Sequence, residues 1–184
     1  MTSILIALVV LVSPVLLWAV VKGVLRSGVL SADENIRRLG RFDWYTRDPR
    51  ERHFKRRDAA EVLSSSNNPR ARSFAVKCLR RKANLAVMDT CSKEILAGLN
   101  DRDPLTSQGC AELLHACLAD GISISLSVDI SGVAMSSSSA ERYLEMIRQA
   151  SRTGINDSTV VNILAETEQL LKSYLHKYPN RGAL

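Results

Sequence analysis

The chain has 184 residues, a formal net charge of +6 and a hydrophobic content of 46%, values that are ordinary for a globular protein. Aromatic residues make up only 5% and glycine and proline are sparse, which argues against a β-sandwich or β-barrel and favours helices. Beyond the first 30 residues or so, the length suits one domain of about 150 residues. We therefore expect an all-α fold whose core consists mainly of leucine, isoleucine, valine and alanine.

The first segment is an apolar run, Ile4 to Val21, of 18 residues without a charge. A helix of about 22 residues is about 33 Å long, enough to cross a hydrocarbon core of about 30 Å. A signal peptide would have Lys or Arg before a shorter run and a small-residue cleavage site after it, and neither is evident. We predict an uncleaved transmembrane anchor at residues 1–26; a cleaved signal peptide and a buried core helix are the alternatives. The anchor residues are Ile4, Leu8, Leu11, Leu16, Trp18 and Val21.

The charges that follow the apolar run predict its orientation. Lys22 and Arg26 come directly after it, and such positive flanks favour the cytoplasmic side of a membrane. The four cysteines show no disulfide-framework spacing, which agrees with a reducing compartment. We therefore expect a single-pass membrane protein whose C-terminal domain lies on the cytoplasmic side.

Positive charge is concentrated after the predicted anchor. Residues 22–82 hold 17 Lys or Arg against 7 Asp or Glu, whereas residues 83–184 hold 8 against 12. Basic residues that reach anionic headgroups contribute about 1 kcal/mol each, and aromatic rings with polar tips suit the headgroup layer. We predict a basic and aromatic juxtamembrane segment at residues 27–57, of which residues 33–57 lie on or near the membrane surface or contact an acidic partner. The contact residues are Lys22, Arg26, Arg37, Arg38, Arg41, Trp44, Tyr45 and Arg47.

Two other interpretations of this basic segment stay open. Acidic residues such as Asp43, Asp48 and Glu51 are interleaved with the basic ones, which is typical of a solvated helix face. Basic residues beside aromatic ones also occur in nucleic-acid sites, although no helix-turn-helix, zinc-finger or RNA-binding motif is present. A membrane-tethered nucleic-acid-binding module is therefore the alternative function.

Two prolines in the middle of the chain indicate a repeat. Pro69 and Pro104 are 35 residues apart, and each is preceded by a capping residue, Asn68 or Asp103. The segment between them, residues 85–99, carries its apolar residues on one helical face. A helix pair that recurs at this spacing is typical of helical-repeat proteins.

These two copies resemble HEAT-type repeats, whose second helix often starts with Asp-Pro, carries an arginine three residues later and has small residues in its middle. The matching residues are Arg72, Ala75 and Leu79 in the first copy and Cys110, Ala111 and Leu114 in the second. Ser107 replaces the arginine in the second copy, which removes the side chain that usually ties neighbouring repeats together in the family. The resemblance, over about residues 58–119, implies a small α-solenoid; an ordinary helical bundle is the alternative.

Three further helices are predicted to close the ends of the repeat. Residues 50–64 form the helix that pairs with the one starting at Pro69, and two more helices follow the second copy. Residues 138–151 begin with a capping box of Ser138 and Glu141, and Gly154 can end that helix. Residues 157–178 carry apolar residues at helical spacing. We expect an α-helical repeat-like domain at residues 58–178 and a short tail at residues 179–184.

The segment at residues 121–131 does not fit this helical pattern, because apolar and polar residues alternate along it. Its apolar residues are Ile122, Ile124, Leu126, Val128 and Ile130. One reading is a short strand at 122–130 that pairs with a partner protein or with a second copy of the chain in a homo-oligomer. The other reading is a helix that continues the repeat, since Ile122, Leu126, Ile130 and Val133 also share a helical face.

No catalytic or metal-binding motif is visible. The three histidines lie in separate segments, and Cys110 and Cys117 are two helical turns apart, about 10 Å, too far to share a zinc ion. We therefore predict no catalytic residue, no metal and no cofactor. The predicted function is a non-catalytic membrane-anchored scaffold or adaptor, an accessory subunit of a larger membrane complex that binds membrane lipid and protein partners.

Overall fold

The structure, a computed structural model, describes residues 31–127 and 135–179, and its elements there are all α-helices. The chain divides into two compact units, Met1–Asp43 and Trp44–Leu184. The described part of the first unit contains helix α1, Glu34–Gly40, which begins where the Asp33 carboxylate accepts a hydrogen bond from the Ile36 backbone N–H. The predicted anchor at residues 1–26 lies outside the described residues.

The described part of the second unit contains six helices. They are α2 Pro49–Ser65, α3 Pro69–Arg80, α4 Leu85–Gly98, α5 Pro104–Ser127, α6 Ser137–Arg152 and α7 Ser158–Lys177. The all-α prediction is confirmed for the described residues. The predicted domain boundary at residue 58 falls within α2. This helix begins at Pro49, one residue before the predicted helix at residues 50–64, because the Asp48 carboxylate caps it by accepting from the Arg50 backbone N–H at 2.9 Å.

The proline-led helix starts are confirmed. The Asn68 side chain accepts a hydrogen bond from the Arg70 backbone N–H at 3.0 Å, and α3 follows with Pro69 in its first turn. At the start of α5, the Asp103 carboxylate accepts from the backbone N–H and the hydroxyl of Thr106 at 3.1 and 2.6 Å. These side chains satisfy donors that a helix N-terminus leaves without intrahelical partners.

The N-cap of the third helix pair lies two residues before the predicted one. The predicted cap was Ser138, but the Ser136 hydroxyl accepts from the Ser139 backbone N–H at 3.1 Å, so α6 starts at Ser137. At α7 the Asp157 carboxylate accepts from the Thr159 and Val160 backbone N–H groups, close to the predicted start. Polar caps therefore open both helices of this pair.

The six helices form three consecutive pairs, α2–α3, α4–α5 and α6–α7, in which the two helices of each pair pack together. Neighbouring pairs also pack: α2 contacts α4, α3 contacts α5, and α5 contacts α7. Between α4 and α6, the Tyr143 hydroxyl donates to the Asp89 carboxylate at 3.0 Å. Each pair thus buries its apolar faces against the next pair.

The contacts between α2 and α4 follow a constant sequence offset. The Cys91 thiol donates to the Arg56 carbonyl at 3.6 Å, and Gly98 faces Leu63 further along both helices. Both contacts join residues 35 positions apart. The two helices therefore run in the same direction with one offset, and that offset equals the spacing of the two helix-initiating prolines.

Small and branched aliphatic residues fill the interior, as the composition predicts. The largest fully buried side chains are Leu39, Leu79, Met88, Ile95, Leu99, Leu113, Leu114, Leu118, Met135, Ile147, Leu164 and Leu171. Burying a side chain of this size stabilises a fold by roughly 1.5–3 kcal/mol. Central helix α5 contributes three of these residues, because α3, α4 and α7 all pack against it.

The strand interpretation of residues 122–130 is wrong for Ile122, Ile124 and Leu126, which lie in α5. Ile122 and Ser125 are buried whereas Leu126 is 52% exposed, so burial follows the helical period and not the alternating one. The Ser125 hydroxyl donates to the Gly121 carbonyl at 2.8 Å and accepts from the Met135 backbone N–H at 2.6 Å, which satisfies a polar group inside the core. Val128 and Ile130 lie outside the described residues.

One helix of the described part is long and apolar enough, by length and composition, to cross a membrane. It is the stretch Pro104–Leu126 of α5, half of whose most apolar window is buried inside the protein. Since α5 packs against three other helices, its apolar character matches that of a core helix.

Gly154 ends the α6 region with a positive φ of 80°. A Cβ at this position would meet no atom within 4 Å, so substitution is expected to act through backbone strain alone. Replacing Gly154 with alanine should cost about 1 kcal/mol and lower the thermal midpoint by about 2–4 °C. Replacement with asparagine, which tolerates this conformation better, should cost less; equal midpoints for the two variants in a thermal melt would contradict this reason.

Candidate functional site

The α2–α3 pair carries a strong positive surface. Residues 49–82 hold 11 Lys or Arg against 3 Asp or Glu. The exposed basic residues of this pair and its connection to α4 are Arg50, Arg57, Arg70, Lys77, Arg80 and Lys82. This basic surface belongs to the second unit, and it includes Arg50 and Arg57 of the predicted juxtamembrane segment.

The residues predicted to contact a membrane surface occupy different environments. Tyr45 is 64% exposed and Arg47 is exposed, as a surface role requires. Trp44 is only 6% exposed, so in this structure its ring is buried, whereas the prediction placed it in the headgroup layer. Its indole lines a small pocket together with Leu79. Burying a large apolar ring beside a leucine is favourable.

The remaining predicted contact residues belong to the first unit. Arg37 is partly exposed there, and Arg38 and Arg41 are exposed. Lys22 and Arg26 precede the described residues, as do all six predicted anchor residues from Ile4 to Val21. Of the predicted contact residues, Trp44, Tyr45 and Arg47 belong to the second unit.

An ion pair ties the first helix pair to the second. Arg72 donates from Nε and Nη2 to the two carboxylate oxygens of Asp101 at 2.6 and 2.8 Å, and from Nη1 to the Ser66 carbonyl at 2.9 Å. Both side chains of the pair are largely buried. This two-bond geometry is the strongest that an arginine and a carboxylate form.

The electrostatics of this ion pair favour its charged form. Burial alone would raise the pKa of the Asp101 carboxyl, but hydrogen bonds from Arg72 and from the Asp103 backbone N–H outweigh burial and lower the pKa below its ordinary value of 3.8. The hydrogen bond to Asp101 in turn raises the pKa of Arg72. The pair is therefore ionised throughout the neutral range.

Different side chains tie the second pair to the third. Ser107, which stands where the first copy has its arginine, is buried. The next residue, Gln108, donates from Nε2 to the Asp157 carboxylate at 3.0 Å, and His115 Nδ1 lies 3.0 Å from the Thr167 hydroxyl oxygen. These contacts were not predicted from the sequence. Gln108, a polar residue four positions after Pro104, was the signal that could have indicated the first of them.

A shallow groove lies between the neighbouring helices α3 and α5. It is lined by Ser73, Val76, Lys77, Arg80, Leu105, Gln108, Gly109 and Glu112. Leu105 is 71% exposed at one end, and an Arg80–Glu112 ion pair lies across the groove. An exposed apolar residue with a charged rim is typical of a surface that binds another protein.

The four cysteines are free and buried, and they pack in the core as small apolar residues. Burial raises the pKa of the Cys78 and Cys91 thiols to about 12, so these groups stay protonated at neutral pH. Within residues 31–127 and 135–179, no group of three or more His, Cys, Asp or Glu is placed to hold a metal ion.

Comparison with known proteins found no matching family model, no matching curated protein and no matching solved structure. Any assignment of function to this chain therefore rests on its own residues.

Proposed function

We propose that the protein is a membrane-anchored adaptor: an N-terminal helix embedded in the bilayer holds a helical-repeat body that binds another protein. The sequence supports the anchor through the 18 uncharged residues from Ile4 to Val21. The body supports the binding role through three helix pairs that pack one after another. We further propose that the body lies on the cytoplasmic side, because basic residues follow the apolar run.

The observation that carries the proposal is the repeated inter-pair packing. Contacts between α2 and α4 join residues 35 positions apart, and between α3 and α5 the contacts Val76–Gly109 and Arg80–Glu112 join residues 33 and 32 positions apart. Arg72, the residue that matches the HEAT-type arginine, bonds Asp101 between the first two pairs. These contacts support a HEAT-like stack of three pairs.

The groove between α3 and α5 is the part of this stack that we assign to protein binding. Second helices of stacked pairs form an extended surface, on which exposed apolar residues are free to meet a partner. Leu105 is the most exposed large apolar residue of the described chain. Lys77 and Arg80 border it on α3, so the partner segment is expected to be apolar with acidic flanks.

Replacing Leu105 with aspartate tests this assignment. We expect proteins that co-purify with the full chain in mild detergent to be reduced about 30-fold, since a central apolar contact contributes about 2 kcal/mol to binding. The thermal midpoint should change little, because Leu105 is exposed.

The matched control is Phe54→Asp, which puts the same charge at another exposed apolar residue, 62% exposed on α2, the first helix of its pair. We expect this variant to retain the co-purifying proteins. Equal recovery of the same proteins with both variants, or equal loss with both, would contradict the groove as the binding site.

A further inference from the structure

Four cationic side chains surround the small pocket beside Trp44. They are Arg52, Lys55 and Arg56 from α2 and Lys82 from the connection between α3 and α4. Trp44 and Leu79 form the apolar wall of the pocket. Lys55 and Trp44 are buried, whereas Arg52, Arg56 and Lys82 reach solvent to different extents. The pocket thus has a buried apolar floor and a cationic mouth.

The positive charge of this cluster is only partly neutralised. Lys55 forms an ion pair with Glu51 one turn before it. Arg56 donates to the uncharged side-chain oxygen of Asn84 at 3.2 Å, and the Lys82 ammonium lies 5.2 Å from the centroid of the Tyr45 ring. In the described parts of the chain, no ion pair joins Arg52, Arg56 or Lys82 to a carboxylate.

The positive charges of Arg52 and Arg56 lie close enough to repel each other. Burial lowers the pKa of the Arg56 guanidinium, and the positive charge of Arg52 nearby lowers it further. A like-charged pair that is held together in a partly buried position favours an anion between its members. The cluster therefore carries excess positive charge, which a bound anion would neutralise.

We infer that the mouth of this pocket binds a phosphate group at the protein surface, held by the guanidinium groups of Arg52 and Arg56 and the ammonium group of Lys82. Guanidinium groups match phosphate oxygens with two parallel hydrogen bonds, and a lysine adds a mobile point charge. The exposed ring of Tyr45, whose centroid is 5.2 Å from the Lys82 ammonium, provides an aromatic border with a polar tip, which suits the headgroup layer. A phospholipid headgroup is the source of phosphate that a membrane-anchored body meets first, and this source alone depends on the proposed function.

The test uses the full chain in a non-ionic detergent, in a Trp18→Phe background. The chain has two tryptophans, so Trp44 is then the sole tryptophan and reports on the pocket by its fluorescence. Inorganic phosphate and dioctanoyl phosphatidic acid are titrated, with dioctanoylglycerol as the lipid without phosphate. We expect a saturable change in Trp44 emission with inorganic phosphate or phosphatidic acid and none with dioctanoylglycerol.

A matched pair of variants separates the pocket from general positive charge. Arg52→Gln with Lys82→Gln should weaken binding at least tenfold, and Arg52→Gln alone should weaken it less. Arg50→Gln with Arg57→Gln removes the same charge from exposed positions of the same helix and should leave the dissociation constant unchanged. Circular dichroism melts of each variant establish that the helices are retained.

The outcomes are distinct. Tighter binding of phosphatidic acid than of inorganic phosphate assigns the site to a lipid headgroup, and the reverse assigns it to free phosphate; both support the phosphate site. Absence of a saturable response to either, an equal response to dioctanoylglycerol, or equal weakening in both double variants would overturn it. Because inorganic phosphate needs no membrane, failure of this site is distinguishable from failure of the proposed anchor.

Discussion

Replacing Arg72 with alanine is expected to destabilise the helical body by about 2–3 kcal/mol, because the largely buried Asp101 carboxylate then loses both hydrogen bonds of its ion pair. The Ser66 carbonyl loses its donor in the same variant. Urea unfolding of the full chain in mild detergent, followed by circular dichroism, measures the change in free energy of unfolding. Arg70→Ala is the matched control, since Arg70 is an exposed arginine two residues earlier on the same helix.

The pH dependence of this effect has a definite sign. The pKa of Asp101 in the folded protein lies below its ordinary value of 3.8, so the carboxylate contributes stability above that value and loses it as the pH falls through the folded-state pKa. The stability difference between the wild-type chain and Arg72→Ala should therefore be largest near neutral pH and should shrink on acidification. A difference that stays constant down to acidic pH, or equal losses in Arg70→Ala, would contradict the ion pair as the cause.

Replacing Gly98 with alanine is expected to cost about 1–3 kcal/mol, because a Cβ at this position would lie 2.5 Å from Cys110 Sγ. Gly98 ends α4 and Cys110 is fully buried in α5, so neither backbone can move away freely. The free energy of unfolding from urea titration again measures the effect. This substitution tests the close approach of the two helices of the second pair.

A double-mutant cycle identifies the clashing atom. Cys110→Ala removes the sulfur and is expected to cost roughly 1 kcal/mol by itself. In that background the nearest atoms to the new Cβ are at 3.6 Å, so Gly98→Ala should cost nothing or gain from the better helix propensity of alanine. The cycle should thus show a coupling of about 1 kcal/mol or more, whereas Gly98→Ala combined with Cys117→Ala should be additive. Additivity with Cys110→Ala would show that the assigned contact is absent.

Helix starts were predictable from sequence because their causes are local. Pro69 and Pro104 lack the backbone N–H that a first helical position leaves unused, and Asn68 and Asp103 provide the capping oxygens. Asp157 acts in the same way at α7. Each of these signals depends on two or three neighbouring residues, so no knowledge of the tertiary packing is needed to interpret them.

Two departures from the predictions concern residues whose environment is set by distant parts of the chain. The alternation at Ile122, Ile124 and Leu126 favours a strand locally, but packing of α5 against three helices buries Ile122 and exposes Leu126. Trp44 was assigned to a membrane surface from its basic neighbours, whereas Leu79, far along the chain, lines the pocket that buries it.

The inter-pair contacts were predictable only in part. The match of Arg72 to a HEAT-type arginine pointed to an inter-repeat tie, yet nothing in the sequence identified Asp101 as its acceptor. The contact from Gln108 to Asp157 joins residues 49 positions apart, and it forms because α5 and α7 pack side by side. The pocket of Arg52, Arg56 and Lys82 likewise requires the return of the chain after α3.

Alkaline carbonate extraction of membranes from cells that express the full chain tests the membrane-anchored adaptor most directly. Carbonate releases proteins that are held by charge or by other proteins and retains those with an embedded helix. We expect the chain to stay in the membrane pellet and to leave it only in detergent, because we propose that the apolar run from Ile4 to Val21 spans the bilayer. Recovery of the chain in the carbonate supernatant, without lipid, would contradict the anchor and with it the proposed function.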